Sequence, residues 1–186
     1  MEEIIKVIRD RRSVRSFAPQ QIQDEELKAV VEAGILAPSA QNRQDWFFTI
    51  LQNPRMIQKV TDWIIEEARY VQDEKAQEIA ATPNVAIFRH APTVIIVSGE
   101  ASSEHSRDNC SCAAQNMMLA CEALGLGSCW ISYVGFLANR EVLPKYLAEL
   151  GIPVGYRPFL GLTVGYKAGP EPQFHPRKSG VVKIFR

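Results

Sequence analysis

With 186 residues, 46% hydrophobic and 23% charged, the chain has the composition of one globular domain over residues 1–186, long enough to bury a core without cross-links. Lysine and arginine number 21, and so do aspartate and glutamate, a balance that argues against a nucleic-acid coat or a polybasic membrane grip. No apolar run approaches the roughly 20 residues of a membrane helix, and the opening Met1-Glu2-Glu3-Ile4-Ile5-Lys6 lacks the apolar stretch of a signal peptide.

The reading is therefore a cytoplasmic protein without nucleic-acid or membrane partners. Ile4, Ile5 and Ile8 recur at helical spacing and predict a short amphipathic helix over 2–11. Residues 13–17 break it, and Pro19 marks the break. Asp24 is the expected cap of a second helix, with Leu27, Val30, Val31, Ile35 and Leu36 on its apolar side and Pro38 at its end. A polar loop, 38–44, leads into a β-prone run at 46–51, and Pro54 opens a long amphipathic helical region reaching the low 80s. The apolar run 93–97, between Pro92 and Gly99, reads as a buried central strand.

Residues 107–124 are apolar almost all round and predict a helix buried in a core or a subunit interface. Gly125 and Gly127 stop it ahead of a strand at 128–133. Asn139 is the expected cap of a helix at 140–150, and a strand at 159–164 stops at Gly165. The tail holds Pro170, Pro172 and Pro176, reads as extended, and ends in an apolar alternation at 181–185 with no partner of its own. Interleaved helices and strands predict an α+β (or α/β) fold, a small mixed sheet flanked by helices.

Charge is unevenly spread. Lys6, Arg9, Arg11, Arg12 and Arg15 make the start basic, and Lys167, Arg177, Lys178, Lys183 and Arg186 do the same for the end. If the ends meet in the fold, they form one anion site. Cys110, Cys112, Cys121 and Cys129 fall within 20 residues of one another and lack paired Cys-x-x-Cys spacing, so small buried thiols are expected and no metal site. His90, His105 and His175 are far apart and have no ligand spacing.

Four constellations carry possible chemistry. Arg11-Arg12-Ser13-Val14-Arg15 reads as a phosphate site or as a solvated basic turn. Pro38-Ser39-Ala40-Gln41-Asn42-Arg43-Gln44 combines small residues, which let a planar ligand approach, with amides that match a heterocycle edge; it also reads as a plain polar loop. Gly125-Leu126-Gly127 ends a helix, so it lacks the strand-to-helix setting of a dinucleotide fingerprint. His175-Pro176-Arg177-Lys178 offers adjacent cations to the anion site, or is a solvated tail.

In this order and spacing the four segments resemble the nitroreductase family of flavin-mononucleotide-dependent oxidoreductases, nearly end to end. The resemblance rests on residues 11–17 and 38–46, with support from 114–117, 125–130, Gly155 to Pro158, and 164–166. It implies that Arg11, Arg12, Ser13 and Arg15 hold the flavin phosphate, joined by Arg177 and Lys178. It implies that Pro38, Ser39, Ala40, Asn42 and Gln44 line the ring and ribityl chain, and that Ser128, Cys129, Trp130 and Ile131 lie along the ring. It further implies an intertwined homodimer with flavin between subunits, NADH or NADPH as electron donor, and a nitroaromatic, quinone or similar small-molecule acceptor. No side chain is expected to be catalytic, because the cofactor carries the redox chemistry.

One departure stands out. The family usually has proline between Gln44 and Trp46, where this chain has Asp45, and the expected result is a looser loop with a carboxylate near the site. Rival readings are a specialised flavin enzyme, for enone reduction, dehalogenation or flavin fragmentation, and a flavin-binding regulatory protein with little turnover.

Overall fold

The computed structural model describes residues 2–138, 143–170 and 172–186. Among them the elements in chain order are α1 (Glu2–Asp10), α2 (Asp24–Ile35), β1 (Trp46–Leu51), α3 (Pro54–Ala68), α4 (Glu74–Ala81), β2 (Thr93–Glu100), α5 (Ser106–Ala123), β3 (Leu126–Ile131), a 3-10 segment (Ser132–Ala138), α6 (Leu143–Leu150) and β4 (Tyr156–Tyr166).

The four strands form one sheet in the order β1-β2-β4-β3, every neighbouring pair antiparallel. The expected mixed character shrinks to a single parallel bridge, Ser13 to Ser128, on the free edge of β3. Residues 94–97 of β2 are an unbroken apolar run because both faces of the strand are covered. Val94 and Ile96 point into a core shared with α3, α4, the 3-10 segment and α6, and Ile95 and Val97 into a core shared with α2 and α5. The result is three layers, helices on both faces of a sheet.

Boundaries depart from the sequence reading where a cap or a bulge decides them. Gln23, not Asp24, caps α2, its backbone N–H donating to Glu26 Oε2 at 2.8 Å. The helical region from Pro54 is two helices, because the Asp73 side chain accepts from the Ala76 N–H (3.1 Å) and starts α4 afresh. β3 begins two residues before the expected 128 and takes in Gly127. Asn139, the expected cap near α6, lies outside the described residues.

Helix α5 is buried on one side only. Cys110, Ala113, Ala114, Met117, Met118 and Cys121 are buried, while Cys112 and Gln115 are exposed. Cys112 is thus an exception to the buried thiols expected from sequence. Leu119, Ala120 and Ala123 on α5 join Ile4 and Ile8 on α1 and Leu36 after α2 around an open apolar groove of about 370 Å3. The tail segment 181–185 joins no strand, and Val181, Val182, Ile184 and Phe185 are all exposed.

Residues after α1 run along the outer edge of the sheet. Val14 N–H donates to the Ser128 carbonyl (2.9 Å), Ala18 N–H to the Tyr166 carbonyl (3.0 Å), and Ala168 N–H to the Ser16 carbonyl (3.1 Å). This approach needs a glycine opposite Val14: a Cβ at Gly127 would sit 2.7 Å from Val14 Cγ1 and 2.9 Å from its Cβ. Valine is stiff at χ1 and cannot swing away. Gly127→Ala is accordingly expected to cost about 1–3 kcal/mol, the scale of core overpacking. Urea midpoints check it, and adding Val14→Ala should recover part of the loss.

Candidate active site

The edge segment delivers its cations to one place. A cavity of about 480 Å3 is lined by Arg11, Arg12, Ser13 and Arg15 from the N-terminal side and by Lys167, Gly169, His175 and Arg177 from the C-terminal side. The basic ends of the chain therefore meet. Phe174 helps to hold them, its ring 5.0 Å from the Arg12 guanidinium, which also donates to the Arg11 carbonyl (3.0 Å). Arg15 donates to the Ser13 carbonyl at 3.3 Å and so curls over the segment. Among the described residues Arg11, Arg12, Arg15 and Arg177 have no carboxylate in ion-pair range, whereas Lys167 is engaged by Glu122 at 2.9 Å. Four uncompensated guanidiniums, a hydroxyl and a left-handed Gly169 (φ 73°) near Ser16 form a cradle for a compact polyanion. Lys178 does not line this cavity. Sequence reading passed over Gly169 and used Lys167 only as part of the basic tail.

Residues 128–131 divide by face. Ser128, Cys129 and Ile131 are buried, and Trp130 alone presents its side chain, 37% exposed. What Ser128 offers the edge is its carbonyl. A ring lying along this strand would meet backbone and Trp130, and not the side chains of Cys129 or Ile131. The Cys129 thiol is held above its ordinary value by burial, which outweighs the opposing pull of Arg15, Arg89 and Arg11.

The loop of residues 38–45 is held by a buried relay. Asn109, 3% exposed on α5, donates from Nδ2 to Asp45 Oδ1 (2.7 Å) and accepts from the Ala40 N–H at its Oδ1 (2.9 Å). Asp45 is 4% exposed, with Arg43 Nε 3.6 Å from its second oxygen, and Arg43 also pairs with Glu100. Ser39 Oγ accepts from the Gln44 N–H (3.0 Å), and Gln44 Nε2 donates to Asn42 Oδ1 (3.1 Å). Within this frame Gln41, Asn42 and Gln44 all have φ between 51° and 54°, left-handed values that cost energy outside glycine. The expectation that Asp45 loosens the loop is thereby corrected: its carboxylate points inward and ties the loop to α5. Asn109, the centre of the relay, is not singled out by the sequence; the one signal there is a polar residue on the helix face that also carries Cys110, Ala113 and Met117.

The single chain does not bring the two sets together. Ser128 is level with Val164 and Thr93, whereas Trp46, just after the loop, is level with Gly99. Six residues of β2 and three strand spacings separate them, about 20 Å along and about 14 Å across the sheet. None of Pro38, Ser39, Ala40, Asn42 or Gln44 lines the basic cavity.

The three layers, the basic cavity and the strained amide loop define an α+β domain with a candidate anion site, and comparison with known proteins supplies its class. The nitroreductase family model matches residues 8–166. A Bacteroides fragilis nitroreductase crystallised with bound FMN superposes with a TM-score of 0.93 at 32% identity, over 100% of both chains. A candidate NADH dehydrogenase/NAD(P)H nitroreductase of Archaeoglobus fulgidus is 31% identical over 167 residues, 89% of this chain and 86% of that one. An iodotyrosine deiodinase of Thermotoga neapolitana is 27% identical over 98% of each chain. The chain belongs to the nitroreductase family.

Asn109→Ala would take from the buried Asp45 carboxylate its hydrogen-bond donor, leaving it Arg43 at 3.6 Å, and from the half-buried Ala40 N–H its acceptor. A loss of about 2–5 kcal/mol is expected from the unsatisfied groups, with amide exchange at Ala40 accelerated beyond the global effect.

Burial pushes the Cys110 thiol up to about 12, with Asp45 adding to the shift, and burial does the same for Cys121, also to about 12, against an ordinary value of 9.0. The folded values are raised, so these thiols support the fold fully below about pH 9, and that support is lost as pH climbs towards 12. Urea midpoints should fall over this window, and Cys110→Ala with Cys121→Ala should flatten the fall.

Proposed function

We propose that the protein is a homodimeric, cytoplasmic, flavin-mononucleotide-dependent oxidoreductase that takes reducing equivalents from NADH or NADPH and delivers them to a nitroaromatic, quinone or similar acceptor. The observation that carries this reading is the meeting of Arg11, Arg12, Ser13, Arg15 and Arg177 in one cavity. They fit a terminal phosphate: several guanidiniums without carboxylate partners, one hydroxyl and a small-residue wall. The Bacteroides fragilis relative, crystallised with FMN, supports the same cofactor. When bound, flavin mononucleotide supplies hydride and electron transfer that no side chain here can perform.

In this reading the chain's own residues bind and orient. The guanidiniums anchor the phosphate, with Lys178 as an outer cation. The Ser128–Ile131 strand gives the ring a backbone edge, and the Pro38, Ser39, Ala40, Asn42 and Gln44 loop gives it amide and hydroxyl partners. Because that loop stands at the far corner of the sheet, it serves the cavity of a second copy. The apolar groove between α1, α2 and α5, and the exposed apolar tail, supply surface for such a pairing. A second reading, reductive dehalogenation at the same site, draws support from the Thermotoga neapolitana deiodinase.

Complementation tests both cofactor and assembly. The wild type should purify yellow and release flavin mononucleotide on acidification. Arg15→Ala should weaken flavin binding by about 10- to 100-fold, the scale of a charged hydrogen bond, and Asn42→Ala should weaken it from the other half. Refolding the two variants together should restore intact sites in about a quarter of the positions, the share expected from random pairing in a two-fold dimer. No recovery in a mixed dimer, or a colourless wild type that takes up no flavin, overturns the reading.

A further inference from the structure

The outer end of β3 borders a second cavity, of about 310 Å3, lined by Arg107, Ser111, Trp130, Ser132, Phe159 and Leu160. Its aromatic wall has a local cause. Across the β2–β4 ladder Val97 faces Leu160 and Ser98 faces Pro158, which leaves Phe159 without a partner as the extra residue of a β-bulge. Bulges redirect side chains, and this one presents Phe159 to two guanidiniums: Arg107 lies 5.9 Å and Arg157 5.3 Å from its ring centre. Neither arginine has a carboxylate in ion-pair range among the described residues, and Arg157 Nε is buried without a hydrogen-bond partner.

No lining residue is acidic, and Ser132 contributes a hydroxyl, whereas the Ser111 hydroxyl donates to the Arg107 carbonyl (2.8 Å). Arg107 also stands in the first turn of the 18-residue α5, where the helix dipole favours anions. Trp130 completes the second aromatic wall and is the one exposed side chain of its strand. The volume suits a single-ring molecule, at the small end of ligand cavities. Trp130 offers a face to a planar ring, Phe159 holds Arg107 against the wall, and the Arg107 guanidinium attracts the ring's charge.

We infer that this cavity is an acceptor subsite selective for one-ring aromatics bearing a carboxylate. The inference rests on the proposed function in that it sets the pocket beside the strand assigned to the flavin ring. Its chemistry is that of the pocket alone: the Trp130 face for stacking, the Ser132 hydroxyl for a carboxylate oxygen, and the Arg107 charge to favour the anion over its neutral amide.

The test titrates flavin-loaded protein with benzoate and with benzamide, following tryptophan fluorescence and calorimetric heat. Benzoate should bind at least tenfold more tightly than benzamide. Arg107→Gln should remove most of that preference and Arg107→Lys should keep part of it. In turnover, the KM ratio of nitrobenzene to 4-nitrobenzoate should fall by about tenfold in Arg107→Gln, the scale of one charged contact. Equal affinity for benzoate and benzamide, or an unchanged preference in Arg107→Gln, overturns the subsite, as does an effect confined to the KM for NADPH. If the protein holds no flavin, the proposed function fails, and the same calorimetric titration of the flavin-free protein still decides the subsite by the same ratios.

Discussion

The free edge of β3 is the constraint on which the rest turns. An edge strand left bare invites pairing with other chains, and proteins cover such edges. Here the cover is the segment after α1, joined through the Ser13–Ser128 bridge and the Val14 to Ser128 hydrogen bond. Covering the edge fixes where Arg11, Arg12 and Arg15 stand. It also commits Gly127 to having no side chain, because Val14 occupies that space, and Gly165 likewise, where a Cβ would lie 2.9 Å from Pro92 and 3.1 Å from Phe17. A structural need and an anion cradle are thus met by one stretch of backbone.

The far corner of the sheet is organised on a different principle. There the loop backbone is strained at three left-handed residues and must be over-determined to persist. Asn109 supplies that determination from a helix, where position is set by packing and not by the loop itself. Asp45 stiffens the loop where the family resemblance leads one to expect a proline, and it does so by a different means. Proline restricts the residue before it to extended conformations, and Gln44, at φ 51°, is left-handed. In this chain an acid at position 45 therefore agrees with the backbone, and its inward hydrogen bond replaces the ring's rigidity.

How far the sequence revealed this differs between the two corners. The basic ends were legible as charge arithmetic, and the meeting of Arg11, Arg12 and Arg15 with Arg177 follows from chain topology that periodicity had sketched. The strand at 93–97 was legible because burial on both faces leaves an uninterrupted apolar run, and β1 was read at its observed limits. The break between α3 and α4 was not, since its cause is one capping aspartate inside a charged stretch. The Asn109 relay was not legible either, because its partners are 64 and 69 residues away. Nor was the bulge at Phe159, which is a property of two strands in register and not of one.

The thiols show how magnitudes decide between opposed effects. A cavity ringed by guanidiniums lowers the pKa of any nearby acid, and Cys129 lies within reach of Arg15, Arg89 and Arg11. That is the setting in which a cysteine becomes a reactive thiolate. Yet burial is the larger influence, and the net shift is upward. The charge that suits a phosphate therefore does not activate the thiol beside it, because the guanidiniums act across a boundary that the sulfur does not cross: they face the cavity, and Cys129 faces the core with Val60, Trp63 and Ile131. A strand with one side to a charged cavity and the other to an apolar layer can thus hold a cysteine close to several guanidiniums and still keep its thiol from being activated.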